Sequence, residues 1–324
     1  MGHPLRWFIP GVVYESTIRT IQERFLLRPG RDSRDLILGV IGRAQRLYRG
    51  VQLYAFVYMS NHAHLLLSAD DGEQLAAFLG YVNGNVAREM GRLHDWTGAL
   101  WGRRHRPIAI VDEEAQVARL RYLLSQGVKE GLVASPRDWP GASALPGLLG
   151  DMTLIGRWVD RTLETRARRR GVAIEPGDFE ESFRVRLTPL PAWAGLDAEE
   201  LVARYEGLVL DVEREHRANA SSVVGADVVC ETHPHASPDD PERSPAPDCH
   251  ASSRPMRASF RAAFRAFVDE FRAAALALRS TIVEDVSRAR ELRTRFPDGC
   301  FPPNLLYMSV PAGTRPPWET WVTA

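Results

Sequence analysis

Two histidines one residue apart, His62 and His64, lie in LYAFVYMSNHAHLLLS, residues 53–68, a segment otherwise composed to be buried. The chain has 9 histidines in all. In an extended strand, residues i and i+2 point to the same face. The two imidazoles would therefore project side by side, with Ala63 on the opposite face. Neutral imidazoles so placed can share one divalent ion. The competing reading is a pair of buried histidines satisfied by backbone groups. A pair is an incomplete site, and the segment 113–126 offers a third donor. Read as a helix, it carries an apolar stripe of Val117, Leu120 and Leu124. Arg119, Tyr122 and Gln126 then fall on the other side, Tyr122 and Gln126 one turn apart. A glutamine amide oxygen can complete a His-His-amide set. The tyrosine beside it becomes a candidate nucleophile, unless it is simply a surface tyrosine of an amphipathic helix.

A second constellation is WGRRHRP, in which Trp101 precedes Arg103, Arg104, His105 and Arg106. Phosphate contacts beside an aromatic stacking face are what single-stranded nucleic acid binding uses. Arg119 is expected to contribute to the same binding, and RARRR at 166–170 could extend it; a solvated loop is the plainer alternative. Cys230, His233, His235, Cys249 and His250 have ligand types suited to zinc, but they fall in a Pro/Ser-rich stretch without the hairpin or helix of a zinc finger. The three cysteines are few and odd in number, so no disulfide framework is implied.

The elements that must position these residues can be read from periodicity. Residues 12–19 have strand composition. Residues 34–49 show helical spacing of Ile37, Val40, Ile41, Ala44, Leu47 and Tyr48 after a possible cap at Ser33. Residues 51–58 and 62–68 read as a hairpin. Residues 72–93 carry Leu75, Phe78, Leu79, Val82, Val86, Met90 and Leu93 on one helical stripe, and 107–111 is a short strand. Asp112, Glu113 and Glu114 suit the positive end of the helix that follows, and Gly127 is its expected terminator. Strand, helix, strand, strand, helix, strand is the ferredoxin-like order: an α+β fold, an antiparallel sheet with helices on one face. Past residue 150 we expect a basic helix over 157–170, a helix over 197–219, a linker or strap over 221–256, and a long helix over 257–293 broken near Ser280. The expected organisation is a catalytic domain over 1–150, a helical basic extension over 151–220, the linker 221–256 and a C-terminal helical region over 257–324.

The composition is that of a globular protein, 44% hydrophobic and 25% charged, with zero formal net charge. The charge is unevenly spread: 18 basic and 14 acidic residues fall in 1–150, and 23 and 27 in the remainder. Lys129 is the only lysine, and arginine is the cation that grips phosphate bidentately. No apolar run reaches the ~18 residues of a membrane span, and the N-terminal residues lack signal-peptide architecture. We expect a cytoplasmic, nucleoid-associated protein.

The blocks YMSNHAHLLL, GALWGRRHRPI and RYLLSQGVKEGLV, with PRDWPGAS behind the last, resemble the REP-associated tyrosine transposases. These belong to the single-tyrosine HUH family, named for His, a hydrophobic residue, His. The resemblance runs over roughly residues 8–145. Ser60 and Gly127 stand where prolines are common, and Gln126 where an asparagine is. The resemblance implies an HUH endonuclease fold followed by a mainly helical extension. It implies a metal-dependent endonuclease and strand transferase acting on single-stranded, hairpin-containing repeat DNA in transposition and recombination. His62, His64 and Gln126 would hold Mg²⁺ or Mn²⁺, and Tyr122 would form a covalent 5′-phosphotyrosine. The acting unit would be a monomer or a homodimer. The alternative is a catalytically inactive or domesticated DNA-binding or regulatory descendant of such a transposase. A third reading, an unrelated metallohydrolase with H-x-H on a barrel strand, is disfavoured by the lack of eight strand-helix alternations.

Overall fold

The computed structural model describes residues 5–219, 222–238, 247–279, 291–292 and 294–301. Its chain divides into two compact units, Gly11–Arg254 and a smaller one made of Met1–Pro10 with Pro255–Ala324.

The larger unit is built on a five-stranded sheet. Strand β1 (Val13–Arg19) is followed by helix α1 (Arg31–Leu47), a hairpin of β2 (Val51–Tyr58) and β3 (His62–Ala69), helix α2 (Gly72–Leu93) and β4 (Arg106–Ile110). This is the order the hydrophobic pattern implies. The spatial order is β2-β3-β1-β4, antiparallel throughout, as the ferredoxin-like pattern requires. A two-residue strand, β7 (Cys249–His250), adds in parallel to the free edge of β4. Helix α2 packs on β2 and β3 and against α1. The hairpin turn closes through the Met59 N–H donating to the His62 carbonyl at 2.8 Å.

Helix α3 (Glu113–Leu124) starts where Asp112 accepts the Ala115 N–H at 2.8 Å, a side-chain N-cap. Asp71 caps α2 in the same way. Helix α3 ends at Leu124, and after Ser125 a single turn, α4 (Gln126–Lys129), continues it. Gly127 is therefore inside α4 rather than a terminator. A Cβ there would meet Val133 Cγ2 at 2.9 Å and Trp139 Cε3 at 3.1 Å, so its small size serves close packing. The left-handed backbone expected of a terminating glycine occurs instead at Gly131, φ 67°. Similarly, α1 begins two residues before Ser33, whose hydroxyl donates to the Arg28 and Gly30 carbonyls.

The chain continues through the short helix α5 (Leu145–Leu148) into β5 (Ile155–Val159), helix α6 (Arg161–Arg169) and β6 (Glu180–Arg184). The segment 157–170 is thus part strand, part helix. Asp160 makes the change, its carboxylate accepting the N–H groups of Thr162 and Leu163. The β5–β6 hairpin lies on α1, where glycines allow backbone to meet backbone: a Cβ on Gly39 would lie 2.1 Å from the Arg157 carbonyl oxygen. Helix α7 (Ala198–Asn219) packs on α3 and α4. The stretch 221–256, read as a linker or strap, contains helix α8 (Ala226–Glu231) and strand β7.

In the smaller unit, Trp7 stacks on Phe267 and packs at a tilt against Phe260 and Phe264 of helix α9 (Arg254–Arg279). Ala274, Leu278, Leu292 and Phe296 form a buried cluster further along. The expected break near Ser280 falls outside the described residues. No helix among the described residues is long and apolar enough to cross a membrane.

Candidate active site

The pairing register decides which side chains share a face. Thr17 pairs with His64 and Arg19 with His62, so Glu15, Thr17, His62 and His64 project from one face of the sheet. Ile110 pairs with His250, which brings that histidine to the same face. His62 and His64 are both buried, with ring centroids 5.1 Å apart. Helices α3 and α4 deliver Tyr122 and Gln126 to this face. Gln126 Oε1 lies 3.2 Å from His62 Nε2, and the Tyr122 ring stands edge-on to His64 at 5.8 Å. All of these groups come from one copy of the chain.

The helix bearing Tyr122 is fixed from both sides. On the sheet side, Arg119 donates through Nη2 to Glu15 Oε1 at 2.8 Å, and its Nε approaches Oε2 at 2.7 Å. On the other side, Arg121 pairs with Glu215 of α7, and Ser135 donates to Glu213 of the same helix at 2.6 Å. Behind α4, the Trp139 indole N–H donates to the Tyr58 carbonyl at the end of β2. The guanidinium carbon of Arg119 sits 3.8 Å from the centre of the Tyr122 ring, and the Lys129 ammonium 5.1 Å from it. Both are cation–π distances.

Protonation follows from these contacts. Burial raises the affinity of Glu15 for a proton, but His250, His64 and Arg119 outweigh it and hold the carboxyl well below the usual range. Glu15 is therefore an anion, and His64 Nδ1, 2.8 Å from Oε1 and 3.2 Å from the Thr17 hydroxyl, must carry the proton of that contact. The lone pair of His64 is then on Nε2. Burial above all, with the charge of Arg19 nearby, pushes His62 down to about 3, against the opposing hydrogen bond from Gln126. His62 is neutral at pH 7 and has one N–H. Yet its Nδ1 lies 2.7 Å from Asn61 Oδ1 and its Nε2 3.2 Å from Gln126 Oε1. Gln126 aims its oxygen at the ring because its amide N–H donates to the Tyr122 carbonyl. With the amides oriented this way, one imidazole lone pair faces an amide oxygen, an arrangement that a cation beside Nε2 and the Gln126 oxygen relieves. His62, His64 and Gln126 fit a divalent ion as neutral donors. Among the described residues no cluster of three or more His, Cys, Asp or Glu is placed to bind metal. The third donor here is an amide, and the Cys/His set considered for zinc is spread out. His235 Nε2 donates to the His94 carbonyl at 2.7 Å, while His250 sits against Glu15 and Cys249 is buried in β7.

The rim expected to meet DNA lies beside this face. Thr20, which follows β1, donates its N–H to the Asn61 carbonyl and bridges to Trp101; Gly102 donates to Arg19. Trp101 is half-buried, its indole N–H donating to the Asn83 carbonyl, and the Asn83 amide donates to His105 Nδ1 at 3.3 Å. Arg103, Arg104 and Arg106 are exposed. Arg119, expected among the DNA contacts, is engaged with Glu15 and the Tyr122 ring. Glu15 and Thr17 are parts of the arrangement that the sequence did not single out, and His250 stood out there only among the residues of zinc-ligand type. Glu15 had one available signal, an acidic residue within a segment of strand composition; nothing tied His250 to this face.

No protein-family model matches the chain, and no curated protein matches it. Among solved structures, it is similar to a REP-associated tyrosine transposase bound to a REP hairpin, with 19% identity and a TM-score of 0.38 over 58% of this chain and 99% of that one. It is also similar to a candidate transposase from Deinococcus radiodurans R1, with 21% identity and a TM-score of 0.28 over 39% of this chain and 98% of that one. At these values neither likeness bears on chemistry, and the functional reading rests on the side chains themselves.

Proposed function

We propose that the protein is a metal-dependent single-stranded DNA endonuclease and strand transferase, a transposase of the HUH type. The observation that carries this reading is the convergence of one tyrosine, Tyr122, with a pair of same-face histidines and the Gln126 amide. His62, His64 and Gln126 would hold Mg²⁺ or Mn²⁺, whose charge would offset that developing on the scissile phosphate. The Tyr122 hydroxyl attacks phosphorus: the new bond joins the phenolic oxygen to phosphorus, and the bond to the 3′ oxygen breaks. The phenolic proton is lost, and the departing 3′ oxygen takes up a proton to become a free 3′-hydroxyl. The 5′-phosphotyrosine retains the energy of the phosphodiester, so a second 3′-hydroxyl can reverse the step and join strands. Arg119 and the Glu15 pair fix the attacking ring, and Arg103, Arg104 and Arg106 hold the backbone beside it. Hairpin-containing strands are the substrate that the sequence resemblance implies.

Tyr122→Phe deletes only the hydroxyl. On a denaturing gel with an end-labelled stem-loop strand and Mn²⁺, the parent should give a heat-stable adduct and Tyr122→Phe none, with single-strand affinity kept. Excess EDTA should abolish the adduct and Mn²⁺ restore it. An adduct that persists in Tyr122→Phe, or in EDTA, would contradict the reading. Binding without any adduct in the parent would leave a DNA-binding protein.

A further inference from the structure

Glu15 is a carboxylate buried on the histidine-bearing face, and the cleavage step has no direct use for it. Its side chain retains 2% exposure. A charge so far removed from water is tolerated only when well paired. Side chains from three other elements meet it. From β3, His64 donates its Nδ1 proton to Oε1 at 2.8 Å. From α3, Arg119 straddles both oxygens at 2.8 and 2.7 Å. From β7, His250 Nε2 approaches Oε2 at 2.8 Å. The Nη2–Oε1 contact is a charge-assisted hydrogen bond, and the Nε–Oε2 approach adds ion pairing without hydrogen-bond geometry.

We infer that Glu15 is a positioning residue for the proposed site and that His250 completes its clamp. The inference rests on the cleavage reading above. Glu15 acts on both halves of the site. Through His64 it selects the Nδ1–H tautomer, which presents the Nε2 lone pair. Through Arg119, one turn before Tyr122 and stacked on its ring, it sets where the nucleophile's helix lies. His250 arrives from a segment far along the chain, held to the sheet edge by pairing with Ile110 and by the Ser252 N–H donating to Asp112 at 2.9 Å. A Pro/Ser-rich stretch thus returns to the sheet to place one side chain on the carboxylate that orients the others.

The test uses the full chain with ¹⁵N-labelled histidine. In the metal-free parent, long-range ¹H–¹⁵N spectra should show His64 as the Nδ1–H tautomer, and Glu15→Ala should move it away from that state. Loss of such an outer partner typically weakens metal binding about 10-fold or more. Calorimetry should therefore show that fall in Mn²⁺ affinity for Glu15→Ala and a smaller one for His250→Ala, with slower adduct formation. His250→Gln, which keeps an N–H donor, should recover most of it. Single-strand affinity should stay at the parent's level. The inference is overturned if His64 keeps its tautomer in Glu15→Ala, or if His250→Ala, His250→Gln and parent bind Mn²⁺ alike. Should Glu15→Ala fail to fold, the two His250 variants decide. A parent that neither binds Mn²⁺ nor cleaves would sink the cleavage reading, while the tautomer measurement would still decide the role of Glu15.

Discussion

His62 is the residue whose surroundings are most demanding. It is buried, neutral, and flanked by amide oxygens on both nitrogens. Its folded-state value of about 3 lies far below the ~6.5 of an unfolded histidine. Between these values the unfolded chain takes up a proton that the folded chain refuses. The sign is therefore that stability is fully present above ~6.5 and is lost as pH falls toward 3. Thermal melts of the metal-free protein should show a falling midpoint across that window. His62→Gln, which keeps a polar side chain but cannot take up a proton there, should flatten the slope. An equal acid slope in parent and variant would contradict this. His62, His64, Tyr122 and Gln126 were legible in the sequence because their spacing, i+2 on a strand and i+4 on a helix, fixes a face without knowledge of the rest of the fold. Glu15 and His250 were not, because their meaning depends on strand pairing across large separations in the chain.

At the scale of elements, the periodic segments agree with the structure: the β2–β3 hairpin and α2 bury long apolar faces, and β1 and α3 form where expected although Glu15, Ser16 and Gln116 are buried among their apolar residues. The failures have local causes. In β6 only Phe183 is buried, so EESFR carries no alternation to read. Strand β7 has two residues, too few for any period. In RWVDRTLETRARRR the arginines suit a helix, and the strand ahead of Asp160 was absorbed into it. The hairpin made by β5 and β6 docks where backbones meet at Gly39 and Gly156; a Cβ on Gly156 would lie 2.0 Å from the Gly39 nitrogen. Gly39→Ala favours the isolated helix, yet at this crossing it must push backbone aside. Overpacking of that kind costs about 1–3 kcal/mol or more. We expect Gly39→Ala to lower the denaturation midpoint, and a stabilised variant would show that the hairpin does not sit on α1 as described.

For the molecule as a whole, the basic residues of the first half have two fates. Arg119 and Arg121 are used in ion pairs that hold the Tyr122 helix, whereas Arg103, Arg104 and Arg106 are exposed beside the histidine face. If those three meet phosphates, each alanine substitution should weaken single-strand binding and reduce the slope of log affinity against log salt by about 0.7. Unchanged slopes would place the strand elsewhere, with the exposed arginines of α6 tested next. The most direct test of the central claim is chemical. Trypsin cuts after Arg121 and Lys129, so Tyr122 heads its own peptide, YLLSQGVK. The adduct formed with a stem-loop strand and Mn²⁺ should be trimmed with nuclease, digested and sequenced by tandem mass spectrometry. The account predicts a nucleotide joined through its 5′ phosphate to Tyr122 in that peptide. A nucleotide on the peptide containing Tyr81, or on none, would contradict it.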